Sequence, residues 1–506
     1  MVHKQASLAV TAATLSTTGS DSSDSIAISS DDQDIIHDRS TQEENGSTDV
    51  YFSNEYIQKV NTAAQRENGK LRLNLGLPIN PAAIARRQPI KVLIQLVHRL
   101  LLLVENPLFC IWSQYIPLRF RQKLTLLAWN IYLPVHKLLI GRRTGVHRDA
   151  SLEYHALTTV LWWGRLFPVT VQRMRFSLSQ LHVCHSPEMY PTWKSLVKNS
   201  SLPTSSVKSN GHKHGLRGHL IEVYHEMHKK HTPTGTAGTT LLDSKEDMTV
   251  TGKYIQHSSR PSHKVIFWIY GGAYLAGDSD GNLGIAEKMG LLCGQEDGEV
   301  RDVFIPNYRL VPENNLDDAV HDVTLAYEWL IHERGIPPAN VVLLGISSGG
   351  GLAVLLMQAF AESQRKNDND CNLMPAGAVL VGPFVDYTTP KGSFSEYTKH
   401  DLIVTESVFE EGIPFLEVVL GSHENRVKAS PVYGNFNGLS PLCICVSEHE
   451  VVYDQAMLLA TRARDQGVDV TVGAWKYMCH VFPMLCSFIP EGRESLHFMA
   501  DWIKDH

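Results

Sequence analysis

The chain has no clean apolar run of about 20 residues, the length a helix needs to cross a bilayer. The stretch 91–104 comes nearest, but Gln95, His98 and Arg99 interrupt it and Glu105-Asn106-Pro107 ends it. An excess of positive charge is also missing. With a net charge of −7 and a pI of about 6.4, the chain offers no footprint for nucleic acid, and no such partner is expected. Cysteine is sparse, at eight in 506 residues, and none stands at metal-binding spacing. Cys443 and Cys445 share one strand face, too far apart along it to bond comfortably. Scattered cysteines in apolar strands read as reduced thiols. The expected location is intracellular, in the cytoplasm or peripheral on the endoplasmic reticulum membrane. The G-x-G-x-x-G pattern of dinucleotide loops does not occur around Gly350-Gly351. His212, His214, His225, His228 and His231 read as a solvated stretch without ligand spacing, so neither a metal nor an organic cofactor is expected.

Large apolar residues are few in the first 54 residues, which are rich in Ser, Thr and Asp. Such a segment cannot bury enough surface to offset its ordering entropy and reads as a disordered tail. Its mild apolar run, Ser7 to Ser16, is too weak for a signal peptide. Residues 55–215 read as a helical region. Within it, 89–141 is dense in Leu, Ile, Val and Trp, with helices expected at Lys91–Val104, Leu108–Ile116 and Leu124–Ile140, and Arg119, Arg121 and Lys123 between the last two. This region is expected to cap the rest of the protein, to lie on a membrane surface with its basic residues toward headgroups, or both.

From residue 216 to the end, strands and helices alternate. Strands are expected at Leu220–Tyr224, Lys253–Gln256, Val265–Tyr270, Asp302–Pro306, Val341–Leu344, Gly377–Val381, Leu442–Val446 and Val468–Trp475, with helices between most of them. Alternation of this kind predicts a mostly parallel central sheet with helices on both faces. The segment of about 386–439 is too long for a plain connection and reads as an insertion.

Chemistry concentrates after the fifth expected strand. Val341-Val342-Leu343-Leu344 runs into Gly345-Ile346-Ser347-Ser348-Gly349-Gly350, and a helical stretch follows. A serine between glycines at a sharp strand-to-helix turn is the setting of a nucleophile. Ser347 has glycine two residues to either side, whereas Ser348 would have the β-branched Ile346. Ser347 is therefore the expected nucleophile, and the Ser348 N–H an oxyanion donor. A serine hydroxyl needs an imidazole to take its proton, and the imidazole needs a carboxylate. Both types occur downstream in the order acid, then histidine. Glu450, Asp454 and Glu448 follow the seventh expected strand, and rank in that order as the acid. His480 follows the eighth. Upstream, the apolar strand ending at Tyr270 enters Gly271-Gly272-Ala273. The Gly272 and Ala273 N–H groups are the other expected oxyanion donors, with Gly271 shaping the turn.

These motifs resemble the hormone-sensitive-lipase-like branch of the α/β-hydrolases, which includes bacterial carboxylesterases and arylacetamide and sterol deacetylases. The resemblance rests on Tyr270-Gly271-Gly272-Ala273, Tyr308-Arg309-Leu310-Val311-Pro312-Glu313, Gly345-Ile346-Ser347-Ser348-Gly349-Gly350, Glu450 and His480, over roughly the last half of the chain. It implies an α/β-hydrolase fold with a helical cap. It also implies a Ser347–His480–Glu450 triad and a small-molecule ester substrate, lipophilic and short in its acyl group, such as an acetyl ester. Two departures stand beside the site. Tyr270 replaces a histidine that braces the oxyanion loop, and Ile346 replaces an aspartate before the nucleophile. An acyltransferase would use the same site, and plant gibberellin receptors place a binding function on this scaffold but lack the histidine that His480 supplies.

Overall fold

The computed structural model describes residues 116–142, 146–164, 171–179, 181–185, 216, 218–226, 249–257, 262–294, 299–366, 372–388, 392–398, 400–405 and 420–506. The expected N-terminal tail, the helix expected at 91–104, nearly all of 108–116, and the histidines 212, 214, 228 and 231 lie outside them.

All eight expected strands form. They are β1 His219–Glu226, β2 Thr249–Gln256, β3 Val265–Ile269, β4 Asp302–Asn307, β5 Val341–Ile346, β6 Gly377–Val381, β7 Leu442–Ser447 and β8 Val470–Trp475. They lie in one sheet in the order β1-β2-β4-β3-β5-β6-β7-β8. The pairs β1–β2 and β2–β4 are antiparallel, and every other pair is parallel. Every residue of β3, β5, β6 and β7 is buried. Strands covered on both faces can be apolar throughout, which is why these four read as uninterrupted runs rather than as alternation.

The helices are α1 Leu118–Leu139, α2 Leu152–Gly164, α3 Val171–Ser179, α4 Ser279–Cys293, α5 Leu316–Glu328, α6 Ser348–Arg365, α7 Ser393–Tyr397, α8 His423–Ala429, α9 Tyr453–Asp465 and α10 Pro490–Asp505. They form two layers, with α4 packed on α10 and α5 on α6, each against the sheet. Asp278 starts α4 by accepting the Gly281 N–H, and Asn315 with Asp318 forms a reciprocal capping box at α5. The order of connection reverses between the parallel neighbours β3 and β5, which register Ile269 against Gly345: the chain moves from β3 to one side of the sheet and from β5 to the other. The crevice beyond the carboxyl ends of such strands is where open α/β sheets place their sites.

The described N-terminal helices pack onto this body. Trp129 of α1 meets Phe488 edge-on at 5.1 Å, and both the N–H and the hydroxyl of Ser151 donate to Glu491. Helix α1 starts earlier than expected, so Arg119, Arg121 and Lys123 lie within it rather than between helices. Nothing between Pro117 and Leu124 breaks the helical spacing, and no proline falls in that turn.

Candidate active site

Ser347 sits at the tip of the turn from β5 into α6, with φ 51° and ψ −117°. A non-glycine residue there carries strain of order 1–3 kcal/mol, and the surroundings hold it. Its N–H donates to Val381 O at 2.8 Å, and its carbonyl accepts from Phe384 N. A side chain at Gly349 would put a Cβ 2.2 Å from Ile269 O, so only glycine lets α6 start this close to β3. Ser348 has a different task. Its side chain is wholly buried, and its hydroxyl accepts the Tyr274 N–H at 3.4 Å, which ties the Ser347 turn to the turn after β3. Its own N–H lies in the first turn of α6, where no intrahelical acceptor exists and the helix dipole favours negative charge.

The loops after β7 and β8 bring Glu450 and His480 to the same place. His480 Nε2 lies 2.9 Å from Ser347 Oγ, and His480 Nδ1 lies 2.5 Å from Glu450 Oε2. The other oxygen, Glu450 Oε1, accepts the Ser447 N–H at 2.7 Å, so the carboxylate is fixed on both sides. Gly382, at φ 49°, closes the floor beneath them. A Cβ there would fall 2.8 Å from Glu450 Oε2 and 3.1 Å from the His480 ring. Burial alone would lower the affinity of the His480 ring for a proton. The hydrogen bond and charge of Glu450, with the charge of Asp401, outweigh it and hold the ring above its ordinary 6.5.

The two other acid candidates stand elsewhere. Asp454, in the first turn of α9, accepts the Ser393 N–H at 2.8 Å and so anchors α7 rather than capping its own helix. Glu448 lies 3.9 Å from Lys476 at the partly exposed edge of its loop.

The turn after β3 is built from Gly271, Gly272, Ala273 and Tyr274, the last three at positive φ. It closes on itself, since Gly272 O accepts from both Leu275 N and Ala276 N at 3.0 Å. Gly271 presses on the Ser347 turn, with its would-be Cβ 2.6 Å from Ile346 O. Tyr270 takes up a bracing position behind this turn. Its ring stacks on Tyr308 at 4.4 Å, its hydroxyl accepts the Tyr308 N–H at 3.2 Å, and its carbonyl accepts the Tyr308 hydroxyl at 2.7 Å. Ile346 is 4% exposed and packs in the core, so no carboxylate is called for there.

Three parts of the site carry no local sequence signal. Arg175 of α3 donates to Leu275 O at 2.7 Å and Val311 O at 3.1 Å, and pairs with both oxygens of Glu313 at 2.8 and 2.7 Å. Leu178 of the same helix closes on Gly272. Tyr274 and Tyr387 share a hydroxyl hydrogen bond that links the turn after β3 to the start of the 386–439 insertion. Asp401, in that insertion, accepts the His480 N–H at 2.6 Å.

Ser347, Glu450 and His480 all lie within the stretch that matches a known family. The sequence pattern of a family described as alpha/beta hydrolase fold matches 266–484. Residues 266–484 belong to the α/β-hydrolase fold family. The chain is 28% identical over 246 residues to an acetyl-hydrolase of Streptomyces hygroscopicus, covering 49% of this chain and 77% of that protein. It is 26% identical over 240 residues to an esterase of Acinetobacter venetianus, covering 47% of this chain and 74% of that one. It is 29% identical over 251 residues to the carboxylesterase/phospholipase LipF of Mycobacterium tuberculosis, covering 48% of this chain and 62% of LipF. A hyperthermophilic esterase from the archaeon Pyrobaculum calidifontis superposes with a TM-score of 0.50 at 18% identity, over 69% of this chain and 97% of that one, which speaks for the fold. The named relatives of this hydrolase region are carboxylic ester hydrolases.

Proposed function

We propose that the protein cleaves lipophilic carboxylic esters with a short acyl group, acetyl esters foremost, through an acyl-enzyme. The observation that carries this is the Ser347–His480–Glu450 chain, 2.9 Å and then 2.5 Å between heavy atoms. Ser347 Oγ attacks the ester carbonyl while its proton passes to His480 Nε2. Glu450 holds the ring with Nδ1 protonated and stabilises the cation that forms. The tetrahedral oxyanion is received by the N–H groups of Gly272, Ala273 and Ser348. Collapse expels the alcohol, which takes the proton from Nε2. Water, deprotonated by His480, then attacks the acyl-enzyme and frees the carboxylic acid. The acetyl preference draws on the Streptomyces relative's name, and the lipophilic preference on apolar Leu178 over the oxyanion turn.

The test is active-site labelling. A fluorophosphonate should modify the wild type and leave Ser347→Ala unmodified, and turnover of aryl esters should fall as the acyl chain lengthens. An unlabelled wild type would sink the proposal. A product ester formed from an added acceptor alcohol, at the expense of free acid, would reassign the enzyme as an acyltransferase.

A second reading concerns location. Phe120, Leu124, Leu127, Ile131, Val135 and Leu138 recur at helical spacing along α1, and each is exposed, Leu138 at 84%. The opposite side of α1 is the packed one: the Tyr132 hydroxyl donates to Ala156 O, and His136 is buried. No Asp or Glu occurs from 106 to 148, while Arg119, Arg121, Lys123, Lys137, Arg142, Arg143 and Arg148 do, in a chain of net charge −7. We propose that this face of α1 rests on an anionic lipid surface. No helix among the described residues is long and apolar enough to cross a membrane.

A further inference from the structure

We propose that Asp401 is a positioning residue for His480: one of its carboxylate oxygens fixes the main chain of the base, so that the insertion between β6 and β7 sets where the imidazole stands.

The two oxygens of Asp401 do different things. Oδ1 accepts the Ile403 N–H at 2.8 Å and the Val404 N–H at 2.9 Å, which closes a local turn. That alone would account for an aspartate at this position, and it needs only one oxygen. Oδ2 reaches 79 residues along the chain to accept the His480 N–H at 2.6 Å. The carboxylate is 1% exposed, so water does not stand in for either partner. A short bond from a peptide N–H to a buried carboxylate is of the stronger, charge-assisted kind.

Asp401 is itself held. Its N–H donates to Tyr397 O at 2.8 Å, at the end of α7. The start of α7 grips the acid loop, because the Ser393 hydroxyl donates to Val451 O at 3.0 Å and the Ser393 N–H to Asp454. The stretch 393–404 therefore touches the acid's loop at one end and the base's loop at the other. It fixes the distance between Glu450 and His480 from outside the sheet.

The ionisable groups around the His480 ring and main chain come from every neighbouring element. Glu450 faces it from the loop after β7, Asp401 from the insertion, and Cys479 from its own loop. The Tyr154 hydroxyl of α2 is near enough to the Cys479 thiol for each to raise or lower the other's affinity for its proton. Among these, Glu450 and Asp401 are the two whose negative charge favours the imidazolium.

This inference rests on His480 being the base of the proposed ester hydrolysis, and its test reads the ring directly. Full-length protein labelled with 15N-histidine is titrated by NMR as wild type and as Asp401→Asn, with His480→Gln to assign the signals. Turnover of an aryl acetate is followed in parallel. The expected result for Asp401→Asn is a His480 midpoint at lower pH, an acid limb of kcat/KM that moves with it, and a kcat lower by about tenfold to a hundredfold with KM little changed. A merely structural role would reduce the amount of folded enzyme and leave the midpoint where it was, and that result overturns the inference. Should Asp401→Asn fail to fold, the wild type decides. The His480 amide proton should resonate well downfield of ordinary amides, and one in the ordinary range overturns the inference. A wild type without turnover would sink the ester hydrolysis, whereas an unmoved midpoint would sink Asp401 alone.

Discussion

Tyr270 and Tyr308 hold each other by two hydrogen bonds in opposite senses: the Tyr308 N–H donates to the Tyr270 hydroxyl, and the Tyr308 hydroxyl donates to the Tyr270 carbonyl. The second bond pins the peptide that leads into Gly271. Tyr270→Phe keeps the stacked ring and leaves a buried N–H without its acceptor. The expected cost is about 1–3 kcal/mol of stability, seen as a lower midpoint in urea, together with a kcat several-fold lower and a preserved fluorophosphonate adduct. An unchanged urea midpoint would show that the bond from the Tyr308 N–H to the Tyr270 hydroxyl does not brace the turn.

The choice of acid is open to a direct comparison. Glu450→Gln removes the carboxylate that faces His480 Nδ1, and kcat should drop by about 10⁴. Asp454→Asn disturbs only the Ser393 anchor, and kcat should stay within a few-fold of the wild type. Comparable losses in the two variants would refute the assignment of Glu450.

The pH profile follows from His480. The ring must be neutral to take the serine proton, and its environment holds it above 6.5. The kcat/KM value should therefore fall as pH drops, with a midpoint above 6.5. The same shift has the opposite sign for stability. A raised folded value contributes stability that is complete below the unfolded 6.5 and is lost as pH rises through the folded value. A midpoint below 6.5 in steady-state kinetics would contradict the geometry around the ring.

Gly382→Ala tests the floor of the site. The new methyl would meet Glu450 Oε2 and the His480 ring, at a φ of 49° that side chains disfavour. We expect kcat to fall by at least tenfold while far-ultraviolet circular dichroism stays native. Wild-type turnover would mean that the acid–base pair tolerates displacement.

Helix α1 is tested by charge. Leu127→Glu with Ile131→Glu should abolish flotation with anionic vesicles and leave hydrolysis of a soluble aryl acetate intact, since neither side chain touches the site. Retained flotation would remove α1 from the proposed lipid surface.

Much of this was legible in residue order. The central strands could be read because β3, β5, β6 and β7 are buried on both faces and so are apolar throughout. Ser347 and His480 could be read because each stands directly beyond a strand's carboxyl end. Glu450 could only be ranked, since three carboxylates lie within seven residues and their separation in space depends on how the loop folds. Asp401 and Arg175 were invisible. Asp401 sits in an ordinary polar stretch and meets His480 across 79 residues, and Arg175 finds Glu313 across 138. No periodicity encodes such meetings. In sequence Tyr270 is only a departure from the histidine of similar proteins, and the facing Tyr308 shows what a phenol can do there.

Arg175 bears on where this enzyme begins. The matched pattern opens at residue 266, yet the chain after the Gly271–Tyr274 turn is clamped by the guanidinium of Arg175, 100 residues before Leu275 and 138 before Glu313. A fragment trimmed to the matched region would keep Ser347, Glu450 and His480 and lose the hand that steadies their neighbour. The matched pattern and the residues that hold its turns in place therefore differ in extent in this chain.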